Sequence, residues 1–154
     1  MGTAAQHEPR HVAEALAPDL QSGLESLFGF KHFRPGQHDV MRATLQGTNS
    51  LVVMPTGSGK SLCYQLPACV LEGTTLVISP LIALMKDQVD ALTAKNIPTT
   101  FINSSISTNE QHDRLFNMEM GKYKVVYIAP ERFRSPKFCE AIANTKVSLL
   151  AIDE

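Results

Sequence analysis

Short, nearly continuous apolar segments alternate with helix-length amphipathic segments along most of this 154-residue chain. The apolar segments are rich in β-branched residues and bounded by turn residues, which is typical of strands covered on both faces. They are Leu51–Met54, Thr75–Ser79, Thr99–Ile102, Lys124–Ile128 and Ser148–Ile152. Helical periodicity indicates helices over 60–71, 81–95, 107–120 and 131–144. The alternation predicts an α/β fold, a parallel sheet with helices on both faces.

The N-terminal part of the chain has a different pattern. Residues 1–18 show no apolar periodicity, and we expect them to form a mobile tail. Helical spacing begins at Leu20 and is interrupted at Gly29 and near Pro35-Gly36, which predicts two short helices before Gly47. Residues 19–154 are therefore expected to form one domain.

Composition narrows the class of protein. The chain is 44% hydrophobic and 19% charged, and no apolar run approaches the ~20 residues of a membrane span. Acidic, basic and proline residues break the first twenty positions, so we expect no signal peptide and an intracellular location. The three cysteines form no CxxC pair and indicate neither a disulfide framework nor a zinc site. A net charge of −1 means that any nucleic-acid binding would need a local basic strip.

Residues 54–61 carry the clearest chemical motif, Met-Pro-Thr-Gly-Ser-Gly-Lys-Ser, directly after an apolar run. Gly57 and Gly59 allow a tight turn that brings main-chain N–H groups close to an anion. The predicted helix that follows points its positive end at the same place. Met54 replaces the first glycine of the strict phosphate-loop pattern, and an ordinary strand–helix turn with a surface lysine is the alternative.

Two carboxylates fit the same chemistry. The last predicted strand ends at Asp153-Glu154, and the carboxyl ends of parallel strands form the ligand edge of such a sheet. With a phosphate loop present, Lys60 could reach the terminal phosphates, while the Ser61 hydroxyl and Asp153 could hold Mg²⁺. Glu154 could orient and deprotonate an attacking water. The alternative is two solvated acids.

A run upstream, Phe30 to Gln37, could recognise a base. The Gln37 amide can pair with the N6/N7 edge of adenine. Phe30 could stack on that base, and Arg34 could cover it or meet phosphate. From the residues alone, a core role for Phe-x-x-Phe is the alternative.

Five blocks in order resemble the RecQ family of superfamily 2 DNA helicases: Phe28–Gln37, Met54–Gln65, Ser79–Val89, Tyr127–Arg132 and Asp153-Glu154. Met54 is the residue that the family carries at its position. The resemblance covers residues 24–154. It implies a RecA-like P-loop lobe and an ATP-dependent helicase that moves 3′ to 5′ on single-stranded DNA, unwinds duplexes and serves DNA repair and recombination.

The resemblance also implies roles for individual residues, with ATP and Mg²⁺ as cofactors. The adenine-recognition motif is matched by Phe30, Arg34 and Gln37. The phosphate loop is matched by Thr56, Gly57, Ser58, Gly59, Lys60 and Ser61. Asp153 and Glu154 match the Walker B pair, which makes Lys60, Asp153 and Glu154 the catalytic candidates and Ser61 and Asp153 the metal ligands. Single-stranded DNA would be contacted by segments that include Ser79, Lys86 and Arg132.

Members of the family continue beyond the position that matches Glu154. We therefore expect this chain to lack the end of the first lobe, the second RecA-like lobe and its arginine finger, and to have a gap or an unpaired edge in its sheet. We expect it to be marginally folded, with negligible ATPase activity alone. A bacterial parent would be cytoplasmic and nucleoid-associated, a eukaryotic one nuclear. The alternatives are a stand-alone nucleotide-binding module and a small-molecule P-loop kinase, although no arginine-rich lid segment is present.

Overall fold

The computed structural model describes residues 13–154, which contain six α-helices, one 3₁₀ helix and four strands. The helices are α1 (Leu20–Ser26), α2 (Gln37–Leu45), α3 (Leu62–Val70), α4 (Ile82–Thr93), α5 (Thr108–Glu119) and α6 (Pro136–Ala143). The strands are β1 (Thr74–Ile78), β2 (Thr99–Ile102), β3 (Val125–Ile128) and β4 (Val147–Ile152). No helix in residues 13–154 has both the length and the apolar character needed to cross a bilayer.

The four strands form one parallel sheet in the order β2-β3-β1-β4. Val77 in β1 is in register with Tyr127 in β3 on one side and Ala151 in β4 on the other. Each connection contains a helix, as parallel neighbours require, because the chain must return to the starting end of the sheet before it forms the next strand.

Alternate residues along the central strands enter two separate hydrophobic cores. Leu76 and Val126 pack with Phe138 and Met118 from α6 and α5. Their neighbours on the opposite face pack with residues of α1 to α4, and include Val77, Val125 and Tyr127. Because successive strand side chains point to opposite faces, both faces of the sheet are covered. The predicted α/β fold with helices on both faces is confirmed.

The segment Leu51–Met54 is not a strand, contrary to the sequence prediction. It has no ladder partner among residues 13–154, and Leu51 and Val53 are 94% and 90% exposed. Its apolar pattern is strand-like, but a strand also needs a neighbour that supplies main-chain hydrogen bonds. β4 pairs with β1 alone, and Leu150 and Ile152 on it are exposed. The sheet therefore has the expected unpaired edge within the described part of the chain.

The predicted helix over 131–144 is two helices. A 3₁₀ helix covers Pro130–Arg134, and α6 begins at Pro136. Ser135 between them is extended, with φ −84° and ψ 119°. The residue before a proline is disfavoured in the α region, and Pro136 fits the first turn of a helix, so the break falls at this position.

Part of the predicted tail is packed on the domain. The main-chain N–H groups of Leu16 and Ala17 donate to Cys69 O at the end of α3, and Ala13 and Ala17 are buried. The tail boundary at residue 18 was therefore wrong for residues 13–18, because alanines contribute little to an apolar periodicity yet pack well. Residues 1–12 of that tail lie outside the described residues.

Candidate functional site

The chemistry-bearing segments meet at the carboxyl edge of the sheet. β1 ends before Ser79, and β4 ends before Asp153, whose N–H donates to Ile78 O over 2.9 Å. The phosphate-loop candidate reaches the same edge, where Lys60 Nζ lies 3.9 Å from Glu154 Oε1. The predicted meeting of the glycine loop with the Asp-Glu pair is therefore what the structure shows.

The backbone of the loop depends on its two glycines. Gly57 and Gly59 have φ angles of +79° and +82°, in the left-handed region that side chains with a Cβ rarely adopt. A Cβ at Gly59 would also lie 2.5 Å from Gln37 Nε2, so the end of the Gln37 side chain would have to move. Ser58 Oγ, between them, is buried and has no hydrogen-bond partner among residues 13–154. A buried hydroxyl without a partner favours an external ligand at this loop.

The adenine-recognition candidates are attached to the loop. The Arg34 guanidinium donates to Gly57 O over 2.7 Å, and Gln37 Nε2 donates to Gly59 O over 3.0 Å. Gln37 Oε1 accepts from the Arg34 main-chain N–H over 2.8 Å, and Gln37 is only 2% exposed. Phe33 packs against the core, whereas Phe30 is 53% exposed. The core alternative therefore applies to Phe33 and not to Phe30, whose ring can still stack on a base.

Lys60 and Glu154 form an ion pair that is largely solvated, with side chains 37% and 53% exposed. An exposed pair at this distance contributes about 0–1 kcal/mol. A bound polyphosphate could therefore replace Glu154 as the partner of Lys60, with little loss of free energy from the broken ion pair. Thr56 lies in the same turn as Gly57, before Ser58.

The Asp153 carboxylate is held by a residue that the sequence analysis did not single out. Tyr64, in the first turns of α3, donates its hydroxyl proton to Asp153 Oδ2 over 3.2 Å. The same hydroxyl lies 3.5 Å from the Tyr127 hydroxyl, which accepts from Gln65 Nε2 over 3.0 Å. Gln65 Nε2 also donates to Gln88 Oε1 of α4 over 3.1 Å. Burial is the main cause that raises the pKa of both Tyr64 and Tyr127, so both hydroxyls keep their protons.

The oxygen ligands expected for Mg²⁺ fit this arrangement. Ser61 immediately precedes α3, and its side chain makes no capping bond to the helix. No three His, Cys, Asp or Glu side chains converge in residues 13–154, so an all-protein cage is absent from that part of the chain. Mg²⁺ is commonly held by one or two protein oxygens together with substrate phosphates and waters. Ser61 and Asp153 match that pattern.

The three DNA-contact candidates are not brought together by direct contacts. Ser79 is buried, and its hydroxyl accepts from Leu81 N over 3.2 Å. Lys86 is exposed and forms an i,i+4 ion pair with Asp90, which raises the pKa of Lys86. Arg132 Nη1 donates to Gln111 Oε1 over 3.0 Å, whereas its buried Nε has no partner among residues 13–154. Their contact with DNA stays a prediction.

Residues 34–154 match the sequence profile described as DEAD/DEAH box helicase, and the chain belongs to that family.

Its relatives include RecQ helicases, which confirms the resemblance noted from the motifs. The chain is 50% identical over 131 residues to "ATP-dependent DNA helicase RecQ" of Pasteurella multocida, covering 85% of this chain and 21% of that protein. It is 49% identical over 135 residues to the protein of the same name from Bacillus subtilis, covering 87% and 23%. The chain thus spans about a fifth of the length of these relatives.

A solved structure supports the fold. The crystal structure of a hypothetical ATP-dependent RNA helicase from Sulfolobus tokodaii superimposes with a TM-score of 0.65, covering 82% of this chain and 38% of that one. At 23% sequence identity the comparison bears on the fold alone. It agrees with the RecA-like lobe that the motifs predicted.

Proposed function

We propose that this chain is the ATP-binding part of the first lobe of a 3′–5′ DNA helicase that couples ATP hydrolysis to duplex unwinding. The observation that supports it best is the attachment of Arg34 and Gln37 to the glycine loop that carries Lys60, at the sheet edge where Asp153 and Glu154 lie. A base-reading segment, a phosphate loop and an acidic pair then share one site. The names of the relatives, ATP-dependent DNA helicases, agree with this proposal.

Each site residue has a defined task in this proposal. Phe30, Arg34 and Gln37 bind the adenine base. The N–H groups of Thr56–Ser61 surround the phosphates, and Lys60 leaves Glu154 to neutralise the terminal phosphate. Mg²⁺, when bound, would neutralise part of the negative charge of the phosphates.

The acidic pair and the metal ligands complete the site. Ser61 and Asp153 would hold the metal through their side-chain oxygens. Glu154, released from Lys60, orients the attacking water and accepts its proton. The exchange of partners at Lys60 means that nucleotide binding itself frees the general base.

The wider partners belong to the same proposal. Single-stranded DNA would contact the segments that contain Ser79, Lys86 and Arg132, and duplex DNA would be the substrate for unwinding. A second RecA-like lobe would supply an arginine, which is worth about 10³–10⁵ in rate in related NTPases. The 154 residues alone would therefore bind nucleotide without efficient turnover. The protein would act in the cytoplasm on the nucleoid if bacterial, or in the nucleus if eukaryotic.

The proposal is tested with a protein of the relatives' full length that contains these residues. ATP-dependent strand separation is measured on duplexes carrying either a 3′ or a 5′ single-stranded tail. We expect unwinding of the 3′-tailed duplex alone, and loss of unwinding with retained ATP binding in Glu154→Gln. ATP binding without any unwinding would favour a nucleotide-binding module instead, and unwinding of the 5′-tailed duplex would contradict the direction.

A further inference from the structure

Four side chains form a hydrogen-bonded chain from α4 to the Asp153 carboxylate. They are Gln88, Gln65, Tyr127 and Tyr64, from α4, α3, β3 and α3. The direction of the proton donors follows from chemistry. A carboxylate only accepts, so Tyr64 donates to Asp153, and the Tyr64 oxygen is left to accept from Tyr127. Tyr127 in turn accepts from the Gln65 amide, which can only donate through its nitrogen.

We propose, on the basis of the function proposed above, that Tyr64 is a positioning residue for the metal-binding carboxylate. It fixes Oδ2 of Asp153 and leaves Oδ1 for the metal. Tyr127, Gln65 and Gln88 fix the Tyr64 hydroxyl in turn. The residues that hold Mg²⁺ would then be oriented from the interior of the domain.

The position of Tyr64 supports this role. Its main-chain N–H donates to Ser61 O over 3.2 Å, while its side chain bonds Asp153, so one residue connects both expected metal ligands. Tyr64 and Tyr127 are 9% and 2% exposed, which keeps water from competing for the hydroxyl. The main chain of Asp153 is held by its N–H, which donates to Ile78 O, and its carboxylate is held by the Tyr64 hydroxyl.

The network also reaches α4. Gln88 lies two residues from Lys86, in the helix that follows the Ser79 turn. A shift of α4 would therefore move the hydrogen-bond partner of the Gln65 amide and, through the two tyrosines, change the position of the Asp153 carboxylate. The buried hydrogen bonds transmit such a shift only while every member of the chain keeps its partner.

A purely structural role is the competing explanation, since buried hydroxyls stabilise a fold wherever they are paired. The two explanations differ in how the loss of the Tyr64 hydroxyl changes the Mg²⁺ dependence of nucleotide binding. A positioning role changes how much Mg²⁺ is needed to bind nucleotide, whereas a structural role changes stability and nucleotide affinity with or without the metal.

The experiment uses the 154-residue chain and a fluorescent N-methylanthraniloyl ATP. Its binding is titrated with Mg²⁺, and separately measured in EDTA, for wild type and Tyr64→Phe. We expect the half-saturating Mg²⁺ concentration to rise about tenfold in Tyr64→Phe, since outer-shell partners of metal ligands typically contribute about 10–100-fold to metal affinity. Affinity in EDTA should stay as in wild type, and the unfolding midpoint without nucleotide should fall only slightly, as expected for one lost buried hydrogen bond.

Two further variants sharpen the result. Tyr123→Phe removes the same hydroxyl from the third tyrosine of the chain, which packs in the core on the opposite face of the sheet, and should leave the Mg²⁺ requirement unchanged. Tyr127→Phe should raise the requirement less than Tyr64→Phe, because Tyr64 still bonds Asp153 directly.

The outcomes separate the inference from the proposed function. Wild type that binds nucleotide with a Mg²⁺ requirement, alongside a Tyr64→Phe variant with the same requirement, contradicts the inference alone. Unfolding of Tyr64→Phe, or an equal loss of affinity in EDTA, assigns the hydroxyl a structural role and also contradicts it. Absence of nucleotide binding in folded wild type contradicts the proposed function itself.

Discussion

Gln37 and Gly59 are joined by a hydrogen bond of 3.0 Å between the Gln37 side-chain nitrogen and the Gly59 main-chain oxygen. The bond links the base-reading segment to the phosphate loop across 22 positions of sequence. Gln37 still has one amide proton and one oxygen lone pair beyond the bonds it makes, enough to read an adenine edge without leaving the loop. Base recognition and loop geometry are thereby combined in one buried side chain.

Gln37→Ala should therefore lower both nucleotide selectivity and stability. The preference for ATP over GTP in competition binding should be lost, because the Gln37 amide is the group expected to distinguish adenine from guanine. The unfolding free energy in urea should fall by about 1–3 kcal/mol, since the Gly59 carbonyl and the Arg34 N–H lose a buried partner. Gln46→Ala, on an exposed residue just after α2, is the matched control and should change neither quantity. An unaltered ATP preference in Gln37→Ala would count against the base-reading role.

The two loop glycines should respond differently to alanine. In Gly57→Ala the added Cβ has no atom within 4 Å, so the loss of unfolding free energy comes only from the left-handed backbone and is roughly 1–2 kcal/mol. Gly59→Ala has the same backbone cost and also places Cβ 2.5 Å from Gln37 Nε2, so the Gln37 amide must shift and its bond to Gly59 is weakened. Urea unfolding of both variants should show the larger loss for Gly59→Ala. Equal losses would mean that Gln37 does not hold the loop.

Cys69 gives stability a specific pH dependence. Burial raises the pKa of its thiol from 9.0 to about 11, with the Lys124 charge opposing the shift. The folded state thus keeps a proton that the unfolded state loses near pH 9. The contribution is complete below about pH 9 and is lost as pH rises from about 9 to about 11. Cys69→Ala should show a shallower fall in unfolding free energy over that window, whereas Cys139→Ala, on an exposed cysteine, should keep the wild-type slope. Identical slopes in all three proteins would contradict the burial of Cys69.

The ion pair between Lys86 and Asp90 provides a test of the expected DNA contact. If Lys86 neutralises a phosphate, Asp90 competes with DNA for it. Lys86→Ala should weaken single-stranded DNA binding and reduce the salt slope by about 1. Asp90→Ala should strengthen binding by up to about fivefold, matching the ~0–1 kcal/mol of an exposed ion pair. Asp113→Ala removes an exposed acid from α5 and controls for net charge. Binding is measured by the fluorescence anisotropy of labelled single-stranded DNA. Equal DNA affinities of Asp90→Ala and Asp113→Ala would contradict a specific role for Lys86.

Features that depend on neighbouring residues in the sequence, such as strand bounds and helix caps, could be predicted from the sequence. The strand Thr99–Ile102 has the bounds that its apolar run indicated. Ser107 and Glu110 have the three-residue spacing of a capping box and form one, with Glu110 accepting from the Ser107 N–H over 2.9 Å. That N–H donor lowers the pKa of Glu110. The glycine loop and the Asp-Glu pair were recognisable because their residue types are rare in combination.

Features that depend on distant partners could not be read from the sequence. Leu51–Met54 has a strand pattern, yet a strand forms only where a neighbouring strand offers hydrogen bonds. Tyr64 and Asp153 are 89 positions apart, and nothing in their spacing indicates a contact. Tyr64 follows the phosphate-loop serine by three positions, which places it near the site on any helix, and this is the signal that could have identified it.

Nucleotide binding to the 154-residue chain, with Lys60 present or removed, tests the central claim most directly. Calorimetric titration with ATP and Mg²⁺ should give one site, and Lys60→Ala should weaken it about 10–100-fold, since a hydrogen bond to a charged group contributes about 1.5–3 kcal/mol. Lys146→Ala, which removes a lysine from a surface ion pair with Glu72, should bind as wild type does. Equal affinities of wild type and Lys60→Ala, or no binding by the folded chain, would contradict the assignment of this loop as the ATP site.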